Sequence, residues 1–331
     1  MKSREIHLTA YPKGAPTSDH FELAETEIGE PGEGEVRVAN KWLSVDPYMR
    51  GRMSGMRTYI DPFKLGAPME GGAVGQVESS NHPDFAEGDW VMSMNGWREA
   101  YVTPGEGLQK LDTSHIPPED YLGIAGLTGM TAYVGLKRCI GLKADETVWI
   151  SAGAGAVGSA AIQFAKAMGA KVVATAGGSD KVEYCQSIGA DAAVDYKSAD
   201  NLAKAVKEAI GGGVDGYFEN VGGTHWTAAL EVLKPKGRIA ACGMIQRYND
   251  AGAQPLPDNL TNIVAKSLRI QGFIVSDHFD MLPDFISDLG QWMAAGKVTA
   301  RNTVKEGIEN MPKAFLGLFT GENTGKMLVK L

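Results

Sequence analysis

The stretch SAGAGAVG, residues 151–158, carries glycines at 153, 155 and 158, the G-x-G-x-x-G spacing that can cradle the diphosphate of a dinucleotide. Gly153 would permit the tight turn, and Gly155 would let backbone N–H groups approach the pyrophosphate. Gly158 would let the next helix pack closely on the strand, helped by Ala160, Ala161 and Ala165. The N-terminus of that helix adds partial positive charge for the phosphates. The choice of dinucleotide falls at the end of the second strand, which reads ATAGGSDK with no acid before Asp180. A carboxylate there would hold a ribose 2′-hydroxyl and repel a 2′-phosphate. Its absence, with donors from Gly177, Gly178 and Ser179 and charge from Lys181, points to NADP(H). Lysines are usually exposed, so Lys181 also reads as a solvated helix residue.

The motif means little without the elements that position it. It follows the strand-like ETVWI and opens the helical stretch AVGSAAIQFAKAMG. Beyond Gly123 the pattern of strand then helix repeats. TVWISA, KVVATA, AAVDY, GVDGYFENV, GRIAACGM and SLRIQGFIV read as strands, and SDKVEYCQSIG and NLAKAVKEAIGG are among the helices. Strands apolar on both faces, alternating with helices, predict a doubly wound parallel sheet. Before Gly123 the texture differs: GEVRVANKWLSV, GGAVGQVESS, GDWVMSM and REAYVTP are short alternating segments broken by turn residues, an irregular β-domain. The final TGKMLVKL is again strand-like and is expected to return to that domain.

Composition narrows the classes. The chain has 331 residues, enough for two domains, and 44% are hydrophobic. A net charge of −8 opposes broad attraction to nucleic acid or anionic membranes. The N-terminus lacks the apolar core of a signal peptide and no apolar run approaches membrane-spanning length, so a cytoplasmic location is expected. Cys139, Cys185 and Cys242 are far apart, with no C-x-x-C pair. That spacing argues against a disulfide framework or a four-thiolate zinc site.

The blocks VDPYMRGRM (45–53), GLTGMTAY (126–133), AGAGAVGS, FENVGG (218–223), CGMIQRYN (242–249), QGFIVSD (271–277) and GENTGKMLVK (321–330) occur in that order. Together they resemble the zinc-independent medium-chain reductases, specifically the prostaglandin/leukotriene and 2-alkenal double-bond reductases. NHPDFAEGDWV (81–91) is similar to the bacterial curcumin reductases in particular. The resemblance implies an α/β architecture: a GroES-like catalytic domain over 1–122, completed by 300–331, and a Rossmann domain over 123–299. It also implies a homodimer and NADPH-dependent reduction of the C=C bond of α,β-unsaturated aldehydes or ketones. The cofactor contacts carried over are Gly155, Ala156, Val157 and Gly158, with Lys181 and Tyr196 at the adenosine phosphate. Asn220, Cys242, Gly243, Met244, Ile245, Tyr248, Phe273, Ile274, Val275 and Asn323 would line the rest of the groove, and Thr131 would sit near the nicotinamide. Tyr48 and Tyr248 would face the substrate as catalytic groups.

Each of these residues also has an ordinary structural role: Tyr196 as a strand terminator, Cys242 as a backbone contributor, Phe273 as sheet core, Tyr48 as a packing aromatic after a turn proline, and Asn220 as a turn former. The sequence departs from the family at Thr128, where proline is frequent, and at Gln246-Arg247, where smaller residues precede the YN pair. Arg247 either adds a cation near the substrate carbonyl or points to water.

The absences carry chemistry as well. Zinc enzymes of the same superfamily need a cysteine in the β-domain and a Gly-His-Glu region. Here no cysteine precedes Cys139, and Glu70 in PMEGG lacks a preceding histidine. No metal site is expected. A conjugated enone needs no Lewis acid: hydride adds at the β-carbon, and the enolate charge that develops on oxygen can be held by one or two hydrogen-bond donors. Tyrosine, with an unperturbed pKa near 10, is such a donor at neutral pH. The remaining alternatives are a quinone reductase on the same scaffold and a non-catalytic NADPH-binding protein.

Overall fold

The computed structural model describes residues 1–250, 252 and 256–331. The chain divides into two compact units. One comprises Met1–Gly123 and Asn302–Leu331 with a short insert that starts at Tyr248; the other comprises Ile124–Arg247 and Gly252–Arg301.

The second unit is built on six strands: β1 (Thr147–Ile150), β2 (Lys171–Ala176), β3 (Ala192–Asp195), β4 (Val214–Glu219), β5 (Leu233–Ala241) and β6 (Arg269–Gly272). All neighbours are parallel, in the order β3-β2-β1-β4-β5-β6. Helix α1 (Ala156–Ala167) follows β1, α2 (Ser179–Ser187) follows β2, α3 (Leu202–Ile210) follows β3 and α4 (Gly223–Val232) follows β4. Successive strand residues point to opposite faces, and here both faces are covered. Val148, Ile150, Val172 and Ala174 pack with Ala160, Ala161 and Phe164 of α1. Trp149, Val173 and Tyr217 pack the other way, with Val206 of α3 and Ala229 and Leu230 of α4. That two-sided burial is why these strands read as unbroken apolar runs rather than alternating ones.

The edge differs from expectation. SLRIQGFIV reads as a full apolar strand, but only Arg269–Gly272 pairs, and those residues are largely exposed. An edge strand that stays short has fewer unpaired backbone groups to present.

The first unit centres on Glu35–Ser44, which pairs antiparallel with Ala73–Ser80, Ala100–Pro104 and Lys326–Lys330. Val36 and Val38 are fully buried while Arg37 between them turns outward to Glu30 at 2.6 Å. The C-terminal strand thus closes against the first unit's central strand, as its β-like sequence suggests. The helix Met311–Thr320 seals the core with Met311, Ala314 and Phe315, all fully buried. Among the described residues no helix is long and apolar enough to cross a membrane.

One buried group makes this fold sensitive to acid. His225 on α4 is 1% exposed, with Tyr196 and Trp149 rings 5.0 and 6.1 Å away. Neither ring nitrogen has a hydrogen-bond partner among the described residues. Burial pushes its pKa from 6.5 down to about 4. The unfolded chain therefore binds the extra proton first, as pH falls below 6.5, and native stability drops until pH 4. The full difference is roughly 3 kcal/mol. His225→Leu should lose that share of the pH dependence. Urea unfolding at pH 7 and pH 4 checks it; equal acid losses in both proteins would contradict the assignment.

Candidate functional site

The strand order of the second unit reverses between β1 and β4, and ligands of open α/β sheets gather beyond the strand ends at such a point. Here the two loops are stitched together. Ser151 donates its hydroxyl to Phe218 O at 3.0 Å and accepts the Asn220 N–H at 2.8 Å, while Asn220 Nδ2 donates to Ser151 O at 2.8 Å. Glu219, fully buried, accepts from Val221 N at 2.6 Å and Gly222 N at 2.9 Å. Burial raises the Glu219 pKa, and those backbone donors only partly offset it. The segment after β5 lies along the same loop: Cys242 N and Gly243 N both donate to Glu219 O, and Ile245 N donates to Asn220 O. Sequence reading singled out Asn220 and the Cys242–Ile245 run; it passed over Ser151 and Glu219. A serine opening a glycine turn and an acid ending a strand carry no spacing signal of their own.

The glycine turn is built somewhat differently from expectation. The positive-φ residue is Ala152, at φ 48°, not Gly153. Gly153 is required for packing, because a Cβ there would sit 2.8 Å from Ala174 Cβ and 3.0 Å from Cys185 Sγ. Gly155 is the N-cap of α1 and has ordinary dihedrals. A side chain at Gly158 would run into the carbonyl of Ala152, so only glycine lets α1 begin this close to the turn. The result is a helix start whose first N–H groups, those of Ala156 and Val157 among them, have no carbonyl one turn earlier in the helix to bond. A phosphate fits that chemistry.

Along the same edge, Gly177 directly follows β2 and Gly178, at φ 97°, caps α2. A Cβ on Gly177 would lie 2.8 Å from Lys197 Cε and 3.2 Å from the Tyr196 hydroxyl. Asp195 holds this corner by accepting from Gly178 N and Lys197 N, both at 3.0 Å. Those backbone bonds keep its carboxyl below the usual range. Lys181 is half-buried, and burial followed by the repulsion of Lys197 lowers its pKa. A lysine from the first turn of α2 and one from the loop after β3 therefore share this corner. Lys197 was not among the residues read from sequence, because it lies beyond β3, far in the chain from the glycine motif.

The other residues distribute as follows. Thr131, on the helix Leu127–Val134, donates to Leu127 O at 2.7 Å. Phe273 lies just past β6 and meets Phe218 edge-on at 6.4 Å, with half-buried Ile274 and Val275 following. Burial pushes the Cys242 thiol up to about 12, so it is no nucleophile at neutral pH.

Tyr48, Tyr248 and Asn323 belong to the first unit. Tyr48 is half-buried at the start of the short helix Met49–Arg52. Burial, reinforced by the Asp46 carboxylate, raises its pKa well above 10. It is a protonated hydrogen-bond donor. Asp46 is itself held by Ser44 and by buried Lys326, which also donates to Val45 O at 3.1 Å. Asn323 Nδ2 donates to Gly325 O at 2.8 Å. Tyr248 is half-buried, while Arg247 before it is exposed. Glu70 is engaged by Arg52 Nη2 at 2.6 Å. Among the described residues no group of three or more His, Cys, Asp or Glu is placed to hold a metal ion.

Comparison with known proteins adds to this geometry. Residues 4–111 match a family model described as the N-terminal domain of oxidoreductase, and residues 156–291 match one described as zinc-binding dehydrogenase. The NADPH-dependent curcumin reductase of Escherichia coli is 38% identical, over 100% of this chain and 97% of its own. The NADP(+)-dependent 2-alkenal reductase of Nicotiana tabacum is 38% identical, over 99% of this chain and 97% of its own. The crystal structure of CurA from Vibrio vulnificus in complex with NADPH superposes with a TM-score of 0.93 at 37% identity, covering 99% of this chain and 98% of that one.

Proposed function

The chain belongs to the medium-chain reductase family that includes the prostaglandin, 2-alkenal and curcumin reductases, and from that premise we propose that it uses NADPH to reduce the C=C bond of α,β-unsaturated aldehydes and ketones. The observation that carries the reading is the helix start after the glycine turn of the second unit, where the missing side chain of Gly158 lets α1 begin against the turn and leaves its first N–H groups open to a phosphate. Bound NADPH supplies a hydride, which the substrate takes at its β-carbon.

The chain's own residues do the rest. Ala156, Val157 and Gly158 hold the diphosphate at the start of α1, and Lys181 and Tyr196 hold the adenosine phosphate. Asn220, the Cys242–Ile245 segment, Phe273, Ile274, Val275, Asn323 and Thr131 line the remainder of the cofactor groove. Tyr248 donates a hydrogen bond to the substrate carbonyl oxygen as negative charge develops there, with Tyr48 as a second donor. A donor aimed at that oxygen lowers the barrier because the charge exists only after hydride transfer. The enolate then takes a proton at its α-carbon, giving the saturated ketone.

These assignments are tested together by assaying wild type, Lys181→Ala and Tyr248→Phe with NADPH and NADH on a simple enone and on a quinone. Wild type should prefer NADPH by at least about tenfold in kcat/KM, and Lys181→Ala should lose most of that preference, since a charge-assisted bond to phosphate is worth roughly 1.5–3 kcal/mol. Tyr248→Phe should lower kcat on the enone by roughly 10²-fold. Turnover confined to the quinone, or a Phe variant with wild-type kcat, would overturn the corresponding assignment.

The same reading includes a homodimer. Exposed Ile270 on edge strand β6, with exposed Phe279, Leu282 and Ile286 after it in the chain, supports it, because exposed apolar side chains of this size are commonly covered. Light scattering at micromolar concentration should give twice the 35.2 kDa chain mass; a monomer mass would refute it.

A further inference from the structure

Arg50 is part of VDPYMRGRM, and neither the cofactor nor the donor roles above account for it. Its side chain is almost entirely buried, with the residue 7% exposed. Nε donates to Asn249 Oδ1 at 3.0 Å, and Nη2 donates to Gly14 O at 2.6 Å. Both acceptors are neutral, and among the described residues no carboxylate lies within ion-pair distance of this guanidinium. Arg52, two residues on, is handled in the ordinary way: it pairs with Glu70 and lies over the Phe63 ring at 4.1 Å. Burying a cation against neutral acceptors is costly, and a plain structural hydrogen bond could be made without a charge.

The position of the acceptors gives the charge a purpose. Asn249 directly follows Tyr248, and both sit in the insert that clusters with the first unit although the chain on either side belongs to the second. Arg50 itself is on the turn that carries Tyr48: Arg50 N donates to Pro47 O at 3.1 Å, and Gly51 N donates to Tyr48 O at 3.0 Å. Gly14, whose φ of 94° favours glycine, closes the arrangement and faces the Asn249 backbone, since a Cβ there would lie in ordinary contact, 3.9 Å from Asn249 O.

We propose that Arg50 is a positioning residue that ties the turn bearing Tyr48 to the insert bearing Tyr248, so that one guanidinium sets both donor tyrosines. The proposal rests on the reading of Tyr248 as the donor to the substrate oxygen. A planar fork with fixed donor directions suits the task, since it reaches Asn249 and Gly14 at once; an ammonium offers charge without that geometry.

The test uses full-length Arg50→Lys and Asn249→Ala, which cut the same bond from its two ends, so that a folding failure of one leaves the other. Hydrogen–deuterium exchange is followed at residues 248–250, alongside NADPH affinity and kcat on an enone. Loss of a bond to a charged group is worth roughly tenfold in a local equilibrium. Exchange at 248–250 should therefore quicken by about that factor in each variant, with peptides of the first unit that contain neither this insert, the Tyr48 turn nor Gly14 unchanged. The enone kcat should fall by a similar factor while the NADPH dissociation constant moves less than about twofold. Arg50→Lys combined with Asn249→Ala should lose no more than either alone. Wild-type exchange at 248–250, or quickening spread evenly over the first unit, would overturn the proposal. Because exchange is read without turnover, it judges Arg50 even if Tyr248→Phe keeps full activity and the donor assignment falls.

Discussion

Ser151 and Asn220 hold each other across the point where the parallel sheet reverses its strand order, and the cofactor-binding half of this protein depends on that contact. Two loops with separate origins, one after β1 and one after β4, become a single wall through it. Glu219 supports the wall from behind, gathering the N–H groups of Val221 and Gly222 on one buried oxygen. Removing its carboxyl would leave those two backbone donors short of an acceptor inside the protein, a far larger loss than any single hydrogen bond on the surface. The backbone bonds from Cys242 and Gly243 then lay a third loop on the same support. A groove built this way is fixed before any ligand arrives, so little ordering remains to be done on binding.

The first unit solves a different problem, keeping the Tyr48 phenol protonated. Burial drives Tyr48 away from ionisation, and Asp46 pushes in the same direction. Asp46 is held beside it by Lys326, from the C-terminal strand, and by Ser44. The return of the chain end to the first unit thus has a chemical consequence as well as a packing one. It brings Lys326 to Asp46, next to the turn where Tyr48 sits.

Much of the scaffold was legible in the sequence because its constraints are local. The glycine spacing, the apolar strands and the acid-free end of β2 are read within a few residues, and the strands fall where the apolar runs do. What escaped was set by tertiary context. The positive φ in the turn that glycine spacing assigned to Gly153 falls on Ala152, while Gly153 is needed for its missing side chain. SLRIQGFIV pairs over only four residues, since strand length at an edge depends on what lies beside it. Lys197 comes to Gly177 only when β2 and β3 lie side by side, and Arg50 meets Asn249 across 199 residues of chain. The helix Met311–Thr320 is amphipathic, but its short run follows a turn and carried no motif. The candidate donor tyrosines came from family resemblance, since tyrosine alone has no spacing that marks it.

The central claim concerns which carbon receives the hydride. It is tested most directly by turning over a simple enone with NADPH deuterated at the transferring position of the nicotinamide and analysing the product by mass spectrometry and NMR. The account predicts a saturated ketone with one deuterium at the β-carbon and a solvent-derived proton at the α-carbon. An allylic alcohol with deuterium on the former carbonyl carbon would contradict it.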